Sequence, residues 1–120
     1  MGRAYGFFDC KASKGEVEAE LPTLRDAAQT PSGLELSLIE GVDRLRGDPD
    51  LMRLAQEAKR QGNRLVLEAE YPNATNSKAA DELKDILVQA YQSPLFKPEA
   101  SEPFRGGIVY RENGKYVFKN

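Results

Sequence analysis

The 120-residue chain has no histidine and no tryptophan, and Cys10 is its one cysteine. Without histidine, a Ser-His-Asp or Cys-His catalytic pair, a histidine general base and the usual His-containing zinc sets are all impossible within one chain. One thiol makes no intramolecular disulfide, and the stretch Met1 to Gly6 lacks the long apolar run of a secretory signal, so the expected compartment is the cytoplasm. No apolar stretch approaches the roughly 20 residues that span a bilayer, so no membrane contact is expected. An excess of basic charge is missing too. Seventeen Lys and Arg against 19 Asp and Glu give a net charge of -2. The nearest approach to a basic cluster, Lys59, Arg60 and Arg64, reads as the solvated C-terminal end of a helix, and nucleic acid is not an expected partner.

What is present describes one soluble α/β domain over residues 1–120, with 40% hydrophobic and 30% charged residues and a mean hydropathy of -0.58. Tyr5, Phe7 and Phe8 mark a first strand over Ala4 to Cys10, covered on both faces and central in its sheet. Ser13 with Glu16 has capping-box spacing, and Val17, Leu21, Leu24 and Ala28 continue as one apolar helix stripe. Pro22 predicts a kink or two abutting pieces in that helix. Leu34 to Leu38 and Leu65 to Tyr71 alternate as half-wet strands.

Between them, Asp48 and Pro49 open a second helix with Leu51, Leu54, Ala55 and Ala58 inward, and Gly62 closes it. A third helix over Ser77 to Gln92 carries Ala80, Leu83, Ile86, Leu87, Ala90 and Tyr91. Residues 93–106 form an irregular Pro-rich segment. Two strands over 108–112 and 115–119 then flank Asn113-Gly114, a type I′ hairpin signal.

The expected fold class is therefore an α/β two-layer sandwich: three βα units followed by a C-terminal β-hairpin, in the order βαβαβαββ. Parallel crossovers are the default for such units, and the alternating strands place the helices mainly on one face of a mixed five-stranded sheet.

Two constellations carry possible chemistry. Cys10-Lys11-Ala12-Ser13 puts a thiol at a strand end and a hydroxyl at the following helix N-cap, where free N–H groups would stabilise a thiolate. The spacing resembles the C-x-x-S form of thioredoxin-like and monothiol glutaredoxin sites, which implies thiol redox chemistry with Cys10 as nucleophile and Ser13 in place of a resolving cysteine. The likeness covers four residues and their strand-helix setting. Pro72 after the third strand and the terminal hairpin depart from those folds. The bland alternative is a buried small hydrophobe beside an ordinary N-cap serine.

The second constellation depends on topology. If the first three strands are parallel, Asp9, Glu40 and Glu70 or Tyr71 converge at their C-terminal edge, where open α/β sheets place ligands and where carboxylates could hold Mg²⁺ or work as an acid-base pair. Asp9-Cys10-Lys11 also begins like a haloacid-dehalogenase-like phosphatase motif, but Lys11 stands where that motif needs a second Asp. Helix-cap partners and solvated acids are the plain reading, and simple capping likewise suits Asn73, Thr75, Asn76 and Ser77.

The leading expectation is a non-catalytic binding or protein-interaction domain with neither metal nor cofactor. Its contact residues would be Asp9, Cys10, Ser13, Glu40, Tyr71 and Asn73 at the strand edge, with Phe96 and Phe104 from the irregular segment. The expected partner is a protein or small molecule. A homodimer through an uncovered, partly apolar sheet face is a further possibility. A small enzyme using Cys10 with Ser13, or Asp9 with Glu40, is the alternative.

Overall fold

The computed structural model describes residues 1–40, 49–92 and 107–119. Among these residues eight elements follow in the expected order: β1 (Gly2–Phe8), α1 (Lys14–Ala27), β2 (Glu35–Glu40), α2 (Pro49–Arg60), β3 (Leu65–Tyr71), α3 (Asn76–Gln92), β4 (Ile108–Glu112) and β5 (Lys115–Lys119). The five strands form one sheet in the order β2-β3-β1-β4-β5, with β1 central as its two-sided aromatic pattern requires.

The α/β class and element order stand as expected, but every strand pairing is antiparallel rather than mixed. The physical reason lies in what fills the gaps. β1 and β2 do run the same way, as a helical crossover demands, yet β3 is inserted between them and pairs with both in the opposite sense. β3 and β4 likewise run the same way on either side of β1. Two split βαβ units thus interlock, each supplying the strand that the other leaves out.

The two faces of the sheet bury different things. Ala4, Phe8, Leu38, Leu65, Leu67, Ala69 and Ile108 point to one face, where Val17 and Leu24 of α1 and Ala80, Leu83, Ile86 and Leu87 of α3 close over them. Gly6 lets α3 approach: a Cβ there would lie 2.8 Å from Leu87 Cδ1 and 3.3 Å from Leu83 Cδ2. The other face packs Tyr5, Phe7, Val66 and Val109 against Leu51, Ala55 and Ala58 of α2. Two helices therefore share one face, as expected, and much of the apolar surface expected to stay open on the other lies under α2, while Phe118, opposite Val109, stays exposed.

Local signals behave as their chemistry dictates. Ser13 caps α1 through the full capping box. Pro22 sits inside a helix that continues as one element to Ala27, so the helix tolerates the lost hydrogen bond without ending there. Gly62 (φ 97°), Asn113 (φ 53°) and Gly114 (φ 80°) take the left-handed conformations their turns need. The expected cap Asp48 and the segment 93–106 lie outside the described residues.

Candidate functional site

Because β1 and β2 run the same way, Asp9 and Glu40 come to the same end of the sheet, as their positions suggested. β3 starts at that end, and Arg64, the residue before its first, stands between the two carboxylates. Its Nε lies 3.0 Å from Asp9 Oδ1 and its Nη1 lies 3.7 Å from Glu40 Oε2. Its Nη2 donates to the carbonyl oxygens of Cys10 at 2.7 Å and Ala12 at 3.1 Å. One planar guanidinium thus holds the β1–α1 loop by its backbone while neutralising the acids beside it. Asp9 Oδ1 is buried and accepts no hydrogen bond from the described residues, so its tie to Arg64 is an ion contact rather than a directed bond.

Cys10 is buried, with 3% of its surface exposed. Burial pushes its thiol above the usual range, opposed by a backbone hydrogen bond at Ala12 and by the Arg64 guanidinium. Its Sγ donates weakly to Ala12 O at 3.7 Å. The Ser13 hydroxyl, which would replace a resolving thiol, accepts from the Glu16 N–H at 3.3 Å and donates to Glu16 Oε1 at 3.0 Å. The physics that lowers a thiol's pKa at a helix start needs access to free N–H groups and to water; here burial prevails.

Tyr91, near the C-terminal end of α3, belongs to this end as well. Burial pushes its phenol far above the ordinary range, and Cys10 and Asp9 add to the shift, which places all three within electrostatic reach. As a sequence feature Tyr91 reads as one more apolar-face residue of a helix. Arg64 reads as a solvated charge. Neither carries a local signal of its place, because their partners lie tens of residues away.

The other candidates go elsewhere. Antiparallel β3 carries Glu70 and Tyr71 to the opposite end, since Phe8 pairs with Leu65 while Gly2 pairs with Tyr71. Six strand steps separate the ends, about 20 Å, so the convergence of Asp9, Glu40 and Glu70 expected from parallel strands does not occur. Among the described residues no group of three or more His, Cys, Asp or Glu is placed to hold a metal ion. Asn73 is exposed in the β3–α3 turn at the far end, where Thr75 caps α3 by accepting from the Lys78 N–H at 3.1 Å. Asn76 bridges strands there: its Oδ1 accepts from the Arg3 N–H at 2.9 Å and its Nδ2 donates to Arg111 O at 2.8 Å. The amide side chain stands in for a ladder rung where β1 and β4 diverge. Phe96 and Phe104 lie outside the described residues.

Beyond α2, the second sheet face turns polar. Glu35, Glu70 and Arg3 follow one another across β2, β3 and β1, with Arg3 Nη2 3.5 Å from Glu70 Oε2. Glu68, two residues along β3, faces the same way, and burial pushes its carboxyl up. No helix among the described residues is long and apolar enough to cross a membrane. Comparison with family models, with curated proteins and with solved structures finds no match for this chain.

Proposed function

We propose that this chain is a small non-catalytic binding domain whose contact surface is the sheet end around Asp9, Glu40 and Arg64. The supporting observation is the position of Arg64. The groups there that could do chemistry are engaged in holding the fold: the carboxylates face a guanidinium, the thiol is buried and neutral, and the serine is a helix cap. A redox thiol needs the opposite, a depressed pKa and exposure. An acid-base carboxylate pair needs one member freed from a fixed cation.

Phe96 and Phe104 belong to the same reading. The described chain leaves α3 just after Tyr91 and returns at Gly107, whose carbonyl accepts from the Phe7 N–H at 2.9 Å, so both flanks of their segment are fixed at this end.

Thiol titration of the native protein tests the reading. Cys10 is expected to alkylate only when urea unfolds the chain, and reaction of the folded protein at the rate of a free thiolate would sink it. A variant carrying Phe96→Ser and Phe104→Ser is expected to keep its circular dichroism while losing partner binding in sedimentation. Partner binding that survives both changes counts against a role for these side chains.

A further inference from the structure

Four asparagines lie among the described residues, in unlike surroundings. Asn63 is buried, with 9% of its surface exposed. Asn76 has its amide engaged with the Arg3 N–H and with Arg111 O. Asn73 is exposed, but Ala74 follows it, with an N–H that donates to Tyr71 O at 3.3 Å and a Cβ that crowds the same nitrogen. Asn113 is exposed at the tip of the β4–β5 hairpin, and a glycine follows it.

The hairpin leaves the nitrogen of that glycine open. Glu112 and Lys115 are the last pair of the ladder, so the Gly114 N–H has no partner within the hairpin. Without a Cβ on Gly114, a neighbouring group can approach that nitrogen closely. Arg111 Nη2 lies 3.5 Å from Gly114 O and Lys115 is next in sequence, so cations stand where negative charge would develop on this peptide, with Glu112 opposing them in part. Residues 112–115 are all exposed, and opening the turn costs only the local bonds at the end of the ladder.

We infer that Asn113 is a site of spontaneous deamidation and that the reaction rebuilds the β4–β5 turn. In a type I′ turn the side chain of the first loop residue lies away from the next nitrogen, so Asn113 (φ 53°) first swings out of the turn. Hydroxide then removes the Gly114 amide proton, and the nitrogen attacks Cγ of Asn113. The N–Cγ bond forms, the bond from Cγ to the side-chain nitrogen breaks, and ammonia leaves with a proton from water, which restores the hydroxide. Water opens the cyclic imide. Attack at the side-chain carbonyl breaks the new bond and leaves aspartate; attack at the main-chain carbonyl breaks the original peptide bond and leaves isoaspartate, linked through its side chain. Either way water enters and ammonia departs, with no change in oxidation state. Aspartate tolerates the left-handed backbone and keeps the turn. Isoaspartate adds a methylene to the main chain, so a two-residue type I′ loop no longer closes the Glu112–Lys115 pair. β5 is then loosened at its turn end while Lys119 still holds Asp81 of α3 at the other. This site is separate from the Arg64 end, so either reading can fail while the other stands.

The test ages the full folded chain in alkaline and in mildly acidic buffer, then maps it by proteolysis and mass spectrometry. A protein isoaspartate methyltransferase with labelled S-adenosylmethionine measures the isoaspartate. Asn113 is expected to convert first, well ahead of Asn63, Asn73 and Asn76, and faster in the alkaline buffer. Asn113→Gly, which keeps the left-handed turn, is expected to gain no label and to leave β5 as in fresh protein. In NMR spectra the aged wild type is expected to shift along β5 and to lose amide protection there. Asn113→Asp carries the charge without the added methylene and is expected to keep the fresh pattern away from the turn. Conversion of Asn113 only in urea, earlier reaction at another of these asparagines, or equal rates in the two buffers overturns the site. Spectra of the aged protein that match those of Asn113→Asp overturn the rebuilding of the turn.

Discussion

Gln29 holds φ at 53°, a left-handed conformation that costs a residue with a Cβ about 1 kcal/mol or more. It does so because α1 ends in a Schellman arrangement: the Thr30 N–H reaches Arg25 O at 3.0 Å and the Gln29 N–H reaches Asp26 O at 3.1 Å. Glycine takes that position without the strain, so Gln29→Gly is expected to raise the melting temperature by roughly 2–6 °C, about 0.5–1 kcal/mol. A lower melting temperature would mean that the glutamine side chain makes a compensating contact.

Glu68 supplies a pH-dependent counterpart. Its carboxyl is raised mainly by burial, with Arg3 opposing and Glu70 adding. At neutral pH the folded state therefore carries a charge it disfavours. As pH falls through the raised folded value, the folded state takes up its proton before the unfolded chain does, and the penalty is relieved; below the ordinary value near about 4.3 both are protonated. Glu68→Gln is expected to melt above the wild type at pH 7, with the gap closing toward pH 4. A gap that widens in acid would reverse the assignment.

At the scale of elements, the loop between β1 and α1 is held by a residue of a third element. Arg64 lies at 40% side-chain exposure, so its ion contacts with Asp9 and Glu40 contribute modestly. Its bonds to Cys10 O and Ala12 O matter more, because losing them strands carbonyls at a buried turn. Arg64→Lys keeps the charge but loses the fork that reaches carbonyls and carboxylates together. A loss of about 1.5–3 kcal/mol in urea unfolding is expected, with faster alkylation of Cys10 in the native protein as the loop loosens. Wild-type stability in the lysine variant would reduce Arg64 to a surface charge.

Helix starts were legible from sequence because a cap is local: Ser13 with Glu16 is a matter of three residues. The Arg64 hub was not, since its carbonyl partners are 52 and 54 residues away and nothing in Asn63-Arg64-Leu65 marks the residue as held. Asp9 and Cys10 drew notice by position and kept it, but their company of Arg64 and Tyr91 changes the chemistry they can do.

For the molecule as a whole, strand and helix identities were readable from period and turn chemistry, whereas strand direction was not. The same βα alternation serves adjacent parallel strands and the split arrangement, and only non-local pairing decides between them. The choice fixes the site, because reversing β3 sends Glu70 and Tyr71 away from Asp9 and brings Arg64 to it. It also divides the interior. Leu51 is buried in the cluster beneath α2, and Ile86 in the one beneath α1 and α3, with the sheet between them. Leu51→Ala is expected to cost about 2–5 kcal/mol and Ile86→Val about 0.5–1.5 kcal/mol.

If the sheet separates two independently packed layers, the double variant should lose the sum of the two within about 0.5 kcal/mol, as distant sites without shared partners do. Denaturant unfolding of the wild type, the two single variants and the double variant measures this. A coupling above about 1 kcal/mol would show that packing strain passes through β1 and β3. The α2 layer would then answer to changes in the α1 and α3 layer, and what bound on one face of the sheet would be felt on the other.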